Sequence, residues 1–445
     1  MLHMLLAAVL PLAAAPQSTP AATPPPAAPA TAAPPAPPST PAGSTDPAAE
    51  RSAPNRQVTA IVARSLMPAP HVARMDRALA IAGLSDRFSK EAVTAAAASA
   101  KVGYDAWRAT AEPALTESIR AAVDADPGPG FPRRCNAQIR AAWDEGAAFE
   151  RDAFATLLAS ALPEGDAAGS LARAALAAGQ AQALRSTLAY APLVDFWQAD
   201  MLESGLRATA GAPVSPDQLR GMLANYETER ARLLRDICEA VLEAESRRRQ
   251  VLTMAAEWYR TRAGVDADMV RMPGAMQIAE PLINATLVEA GARMAVFQRR
   301  TAEQLAGVLG PEGGWSTYAS LLASGRKDSP TVRIDAIVAA IAELPEDRRE
   351  EARSMLREFC TTDRAAMLKT VDAAVDALEM QARIVKPAQR VESITGLDLD
   401  SMDAQLQAVP MREAAYGTLS AIDARKRAVN ELERKIRALA APDPE

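Results

Sequence analysis

Histidine is nearly absent from this chain of 445 residues, which contains only His3 and His71. Catalytic triads, His-paired nucleophiles and ordinary zinc sites all need an imidazole, so the sequence argues against these classes of site. His71 follows Pro70 at the start of a predicted helix, where we expect it to cap the helix or to face solvent. We therefore predict no catalytic, cofactor-binding or metal-binding residue.

Cysteine is also scarce. Cys135, Cys238 and Cys360 lie far apart, which does not form the framework of a disulfide-rich domain. Each lies in an apolar helical pattern, so we interpret all three as small buried hydrophobes. One disulfide with one free thiol is the alternative that the sequence leaves open.

Aromatic residues make up 4% of the chain, so burial must come from aliphatic residues and Ala. The tryptophans lie on the apolar faces of separate predicted helices, and we interpret them as core anchors. These residues are Trp107, Trp143, Trp197, Trp258 and Trp315.

Charge is missing from the first 45 residues. Residues 1–15 have an apolar core followed by alanines, which is typical of a secretory signal peptide; an uncleaved, disordered N-terminus is the alternative. The apolar run is shorter than the roughly 20 residues that cross a bilayer, and we predict no transmembrane segment beyond the signal. Residues 16–54 are rich in Pro and Ala and predict a disordered linker. The net charge of −6 argues against a nucleic-acid partner.

Helical periodicity dominates the rest of the chain, and no stretch alternates with the period of a strand, so we predict an all-α fold of elongated hairpins or bundles. The longest helix is predicted at about residues 215–262, which corresponds to roughly 70 Å. Its start is marked by Ser215 as cap and Pro216 in the first helical position. The other predicted helices cover residues 58–67, 71–82, 85 to about 120, 135–161, a weaker helix to about 190, 192–211, 275–309, 315–324, 330–343, 345–386 with a break near Thr361, and 410–440.

The apolar face of the long helix widens around Ile237, which predicts burial by more than one partner helix. Arg230 and Arg247 interrupt this face, and we interpret the arginines of the helix as a solvated surface with paired charges. The spacing predicts ion pairs between Glu243 and Arg247 and between Glu245 and Arg249, with residues 247–249 in water.

Three helical regions follow the linker, at residues 55–211, 215–325 and 330–445. An internal duplication would relate the first two, because residues 149–165 align without gaps with residues 297–313. The aligned segments share Phe, Arg, Leu, Pro, Glu and Gly at corresponding positions. Similar helix-stop residues that arose independently are the alternative.

Two turns concentrate oxygen or sulfur ligands. Acidic residues cluster at residues 398–403 and at residues 266–268, and three methionines lie at residues 269–276. We interpret the first two as solvated acidic turns, with a calcium site as the alternative for residues 398–403. The methionines are interpreted as apolar contacts, with Cu(I) binding as the alternative.

Taken together, these patterns predict an exported, non-enzymatic helical binding or scaffold protein of the bacterial cell envelope, located in the periplasm or secreted. We expect protein partners in the envelope or self-association, and no cofactor. A self-assembling coiled-coil structural protein is the first alternative, and an enzyme that uses only carboxylates is the second. No motif assigns the chain to a known family.

Overall fold

A computed structural model describes residues 62, 65–125, 132–188, 216–263, 282–322, 334–385 and 409–439. Within these ranges the chain forms ten α-helices and no strand, which confirms the predicted all-α class. The helices are α1 (Val72–Ile81), α2 (Lys90–Ala125), α3 (Cys135–Ala159), α4 (Ala167–Thr187), α5 (Pro216–Ala263), α6 (Ala285–Val308), α7 (Gly310–Leu322), α8 (Asp335–Glu343), α9 (Glu346–Val385) and α10 (Val409–Ala438).

Several predicted features lie outside the described residues. They are the signal peptide, the Pro/Ala-rich linker, the helix at 192–211, the acidic turns and the three methionines. None of the ten described helices combines the length and the apolar character that crossing a membrane would require.

Side-chain caps start two of the helices. The Nδ1 atom of His71 accepts a hydrogen bond of 3.1 Å from the backbone N–H of Ala73 and caps α1, as the sequence predicts. Asp166 does the same for α4, because its carboxylate accepts from the N–H of Gly169 at 2.9 Å. Each cap satisfies an N–H that the helix itself leaves without a partner.

The two Pro-Glu-Gly segments adopt different conformations. Gly165 ends the first segment with φ +81° in the turn between α3 and α4. At the second segment the left-handed residue is Gly310, with φ +74°, which precedes the segment, and Pro311 already lies in the first turn of α7. The helix predicted to begin at Trp315 therefore begins at Gly310. Identical residues in these segments do not specify one local structure, and the internal duplication stays a prediction.

Helix α9 continues through Thr361, where a break is predicted, so this prediction is wrong. The hydroxyl of Thr361 donates to the carbonyl of Arg357 at 2.7 Å, and that of Thr362 donates to the carbonyl of Glu358 at 2.9 Å. These bonds satisfy both hydroxyls on the preceding turn, so two β-branched residues are accommodated without ending the helix. Helix α2 likewise continues through Pro113, as its apolar period predicts.

An aromatic cluster holds α2 against α3. The rings of Tyr104, Trp107 and Phe149 lie with centroids 5.5 to 6.4 Å apart, in the tilted and edge-on arrangements that aromatic pairs favour. The indole N–H of Trp143 donates to the carbonyl of Ser65, which attaches the segment before α1 to α3. Trp143 is fully buried, as the sequence predicts.

Helix α5 packs against α4 on one side and α6 on the other. Leu233, Ile237 and Val241 are buried, which confirms the predicted two-sided burial. The phenol ring of Tyr226 stacks on Phe297 of α6 with centroids 5.5 Å apart. On the opposite side, the thiol of Cys238 donates to a carbonyl of α4 at 3.9 Å.

Asp363 of α9 joins three helices in the C-terminal part of the fold. Its carboxylate accepts from the indole N–H of Trp315 in α7 at 3.1 Å and from the guanidinium of Arg425 in α10. Trp315 is fully buried and confirms its prediction as a core anchor. Trp107 is half-buried, and Trp197 and the side chain of Trp258 lie outside the described residues.

The three cysteines are buried free thiols, which confirms their interpretation as small hydrophobes and not as a disulfide. Burial raises the pKa of Cys238 and of Cys360 to about 12 in each case. Both therefore stay protonated at neutral pH and have little nucleophilic character.

The close approach of α3 to Trp107 gives a test of this packing. A Cβ atom at Gly146 would lie 2.9 Å from the Cβ of Met67 and 3.2 Å from the Trp107 ring. We expect Gly146→Ala to lower the free energy of unfolding by about 1 to 3 kcal/mol, despite the higher helix propensity of Ala, because neither neighbour can withdraw without moving its backbone or ring. Urea unfolding measures the change.

Gly221→Ala is the matched control, because a Cβ at this position in α5 meets nothing within 4 Å. It is expected to raise the free energy of unfolding by about 0.5 to 1 kcal/mol through helix propensity alone. Equal effects of the two substitutions would contradict the tight contact at Gly146.

Candidate functional site

A buried carboxylate, Glu150, connects α1, α3 and α4. The Nε of Arg74 donates to both of its oxygens, at 3.1 and 3.0 Å. The backbone N–H of His71 donates at 2.8 Å and the amide of Gln180 at 2.9 Å. Glu150 is 1% exposed, and its charge is matched by one guanidinium and two further donors. This arrangement serves as a structural junction and leaves no carboxylate oxygen directed at a substrate.

A second buried carboxylate, Glu227, lies on α5. Its Oε2 accepts from Arg230 at 3.3 Å, while its Oε1 has no hydrogen-bond partner among the described residues. The neighbouring Tyr226 hydroxyl donates to the side-chain oxygen of Gln298 in α6 at 3.3 Å. Burial raises the pKa of Glu227, and the nearby cations Arg230 and Arg77 lower it by less.

The interpretation of Arg230 as a solvated arginine is wrong, because this residue is 3% exposed. It follows Leu223 and Tyr226 by seven and four positions, so it points to the same buried side of α5. An arginine at a buried position needs an anion, and Glu227 on the preceding turn supplies it.

The glutamates in the last part of α5 have ion-pair partners that the sequence did not predict, and the predicted pairs of Glu243 with Arg247 and of Glu245 with Arg249 stay predictions. Glu243 pairs with Arg133, which precedes α3, at 3.2 Å. Glu245 pairs with Arg248 at 3.4 Å, whereas the side chain of its predicted partner Arg249 lies outside the described residues. Arg247 and Arg248 are half-buried and not immersed in water as predicted. The pair of Glu243 with Arg133 joins α5 to the segment before α3, and spacing along one helix does not reveal such a contact.

The side chains that could ligate a metal do not converge in the described part of the chain. No group of three His, Cys, Asp or Glu residues there has a geometry that could hold an ion. The residues considered as calcium or copper ligands lie outside the described ranges.

A surface groove between α5, α6 and α9 is the best candidate for a binding site, and we call it the three-helix groove. Its volume is about 410 Å³, which falls in the size range of binding clefts. Apolar residues from all three helices line it: Leu233, Ala292, Val296, Phe297 and Ala382. Charged residues also line it: Glu229, Arg232, Glu289, Arg293, Arg300, Glu379 and Arg383.

Two of the groove arginines are already neutralised. The Nε of Arg232 donates to Glu229 at 2.9 Å, and its guanidinium also pairs with Asp236 at 3.1 Å. Arg293 lies 3.6 Å from the same aspartate and 3.8 Å from Glu289. These pairs link α5 to α6 and leave little positive charge for a ligand.

Arg300 of α6 and Arg383 of α9 differ, because both are exposed and neither forms an ion pair with a described residue. Ala382 packs against Ala285 and Val288 near the start of α6. The antiparallel register of α6 and α9 therefore places Arg383 at one end of the groove and Arg300 at the other.

Sequence reasoning missed this groove. Its residues come from three helices that are far apart in the chain, and none of them forms a motif. A comparison of the chain with protein-family models, with curated proteins and with solved structures finds no match. The geometry of the chain itself is thus the basis for any functional proposal.

The buried pair on α5 generates a stability prediction. Arg230→Met removes the cation that hydrogen-bonds Glu227, and we expect it to lower the free energy of unfolding at pH 7 by about 3 kcal/mol. The double variant Glu227→Leu/Arg230→Met leaves neither charge buried and is expected to recover most of this loss. Urea unfolding of the three proteins measures both effects.

The same variants have a defined pH dependence. The pKa of Glu227 is raised above the ordinary value of about 4.3, so ionisation of this carboxyl opposes folding. The protonated carboxyl stabilises the folded state, and this stabilisation is lost as the pH rises through the raised pKa. Loss of Arg230 raises that pKa further, so Arg230→Met should destabilise more at pH 7 than at pH 5. A double variant as unstable as the single one, or an effect independent of pH, would contradict the assignment.

Proposed function

We propose that this chain is an exported, non-enzymatic binding or scaffold protein of the bacterial cell envelope. It acts through the faces of elongated helices that follow a disordered Pro/Ala-rich lead. The three-helix groove is the observation that carries the binding role, because it is open to solvent and combines an apolar surface with two arginines that no described residue neutralises.

The use of charge inside the fold supports a non-enzymatic role. Glu150 and Asp363 are nearly buried carboxylates, and both hold helices together through donors on neighbouring elements. General acid–base catalysis needs a carboxylate within reach of a substrate proton, and these carboxylates are committed to helix contacts instead.

Export is supported by the apolar N-terminal segment and by the absence of charged side chains from the first 45 residues, and a reporter fusion tests it. Alkaline phosphatase becomes active only where its disulfides form, outside the cytoplasm. The full chain fused ahead of this reporter is expected to give active phosphatase in a Gram-negative host, and deletion of residues 1–15 is expected to abolish the activity. An inactive full-length fusion, or activity that survives the deletion, would contradict export by a signal peptide.

Capture of the tagged full chain from a cross-linked envelope extract tests the binding role. A reproducible partner supports it. A monomer that yields no reproducible partner would count against a binding or scaffold function. Light scattering of the purified chain distinguishes this proposal from the first alternative, a self-assembling structural protein. The average mass of a self-assembling protein increases with its concentration, whereas the mass of a scaffold that binds other proteins stays constant.

A further inference from the structure

We propose that the three-helix groove docks an acidic amphipathic helix of about three turns from a partner protein. The inference rests on the proposed binding role and names the chemistry of the partner. An amphipathic helix that lies in a groove between other helices is one of the recurring modes of peptide recognition.

The shape of the groove matches a helical occupant. Its apolar residues form a continuous surface that α5, α6 and α9 share, and Val296 and Phe297 are half-buried there. A helix placed along this surface would cover their exposed parts with its own apolar stripe, as packing helices do elsewhere in the fold.

The length of the occupant follows from the register of α6 and α9. Arg383 lies beside Ala382, which contacts Val288 of α6. At the other end, Arg300 follows Arg299, which pairs with Asp372 of α9 at 2.8 Å. Arg300 and Arg383 are thus separated by about 12 residues along α6, or roughly 18 Å, which corresponds to about three turns of helix.

The charge of the groove selects an acidic occupant. Glu229 and Glu289 are engaged with groove arginines, whereas the two end arginines have no such partner among the described residues. Glu379 lies between the ends and disfavours acidic groups at the middle of the occupant. A helix with carboxylates at both ends would pair with the two end arginines. Apolar residues between those ends would keep acidic groups away from Glu379 and would cover the apolar surface of the groove.

The net charge of the whole chain makes this proposal specific. At −6, the protein repels an acidic peptide at long range. Binding of such a peptide would therefore need a local site with positive potential, and non-specific attraction would favour a basic peptide instead.

Fluorescence anisotropy with a designed peptide tests the proposal on the full chain. The probe is a fluorescein-labelled helical peptide of about 14 residues, with leucines along one face and glutamates at both ends of that face. We expect saturable binding with a Kd below about 100 micromolar. We expect Arg300→Glu/Arg383→Glu to weaken binding by about tenfold, because two attractions become repulsions.

Two controls keep the result specific. Arg87→Glu/Lys426→Glu changes the net charge equally at exposed cations outside the groove and is expected to leave binding unchanged. The same peptide with lysines in place of the glutamates is expected to bind at least about tenfold more weakly. Unfolding curves of both protein variants must match that of the wild type, which separates lost binding from lost folding.

Absence of saturable binding, equal binding of the two peptides, or equal weakening by both protein variants would overturn the proposal. So would a concentration-dependent dimer that dissociates when Arg300 and Arg383 are reversed, because a second copy would then be the occupant. The peptide assay does not depend on export or on capture from an extract. A chain that is exported and captures a partner, but ignores the acidic peptide, overturns the groove assignment alone.

Discussion

A helix whose apolar face is wider than one neighbour can cover has to be packed on two sides, and α5 meets this requirement with α4 and α6. Leu233, Leu234, Ile237, Val241 and Leu242 are all nearly inaccessible to solvent. Both sides of the fold depend on this contact, since α4 brings α1 and α3 with it and α6 brings α7 and α9. The three-helix groove exists because α9 packs on α6 beside α5 and leaves part of the surface between the three helices uncovered.

Buried charge is the second organising element. Glu150 and Asp363 are satisfied by donors from other helices, whereas Glu227 and Arg230 lie on one helix and satisfy each other incompletely. Fully satisfied networks fix the arrangement of neighbouring elements, and partly satisfied ones lower stability. The contacts of Glu150 and of Asp363 therefore fix how their neighbouring helices are arranged. The pair of Glu227 and Arg230 instead lowers the stability of α5, the helix against which both parts of the fold pack.

Local patterns were sufficient for the fold class and for much of the core. The apolar spacing around Ile237 predicted two-sided burial, and the apolar surroundings of Cys135 and Cys360 predicted buried thiols. The same reasoning failed at Arg230 and did not anticipate the pairing of Glu243 with Arg133, because burial and contacts between elements are set by neighbours in space. The groove was beyond reach for this reason too: Arg300 and Arg383 are brought into line only by the register of two helices, and no spacing along the chain encodes that register.

Native-state hydrogen exchange measured by mass spectrometry tests the role of α5 most directly. The account predicts that amides in residues 233–242 exchange more slowly than those at the start of the helix. It also predicts that these amides exchange through the same opening reaction as the facing parts of α4 and α6, because burial on two sides allows exchange only when the packed unit opens. Exchange in residues 233–242 as fast as in residues 216–222, or loss of protection in α5 while α4 and α6 remain protected, would contradict it.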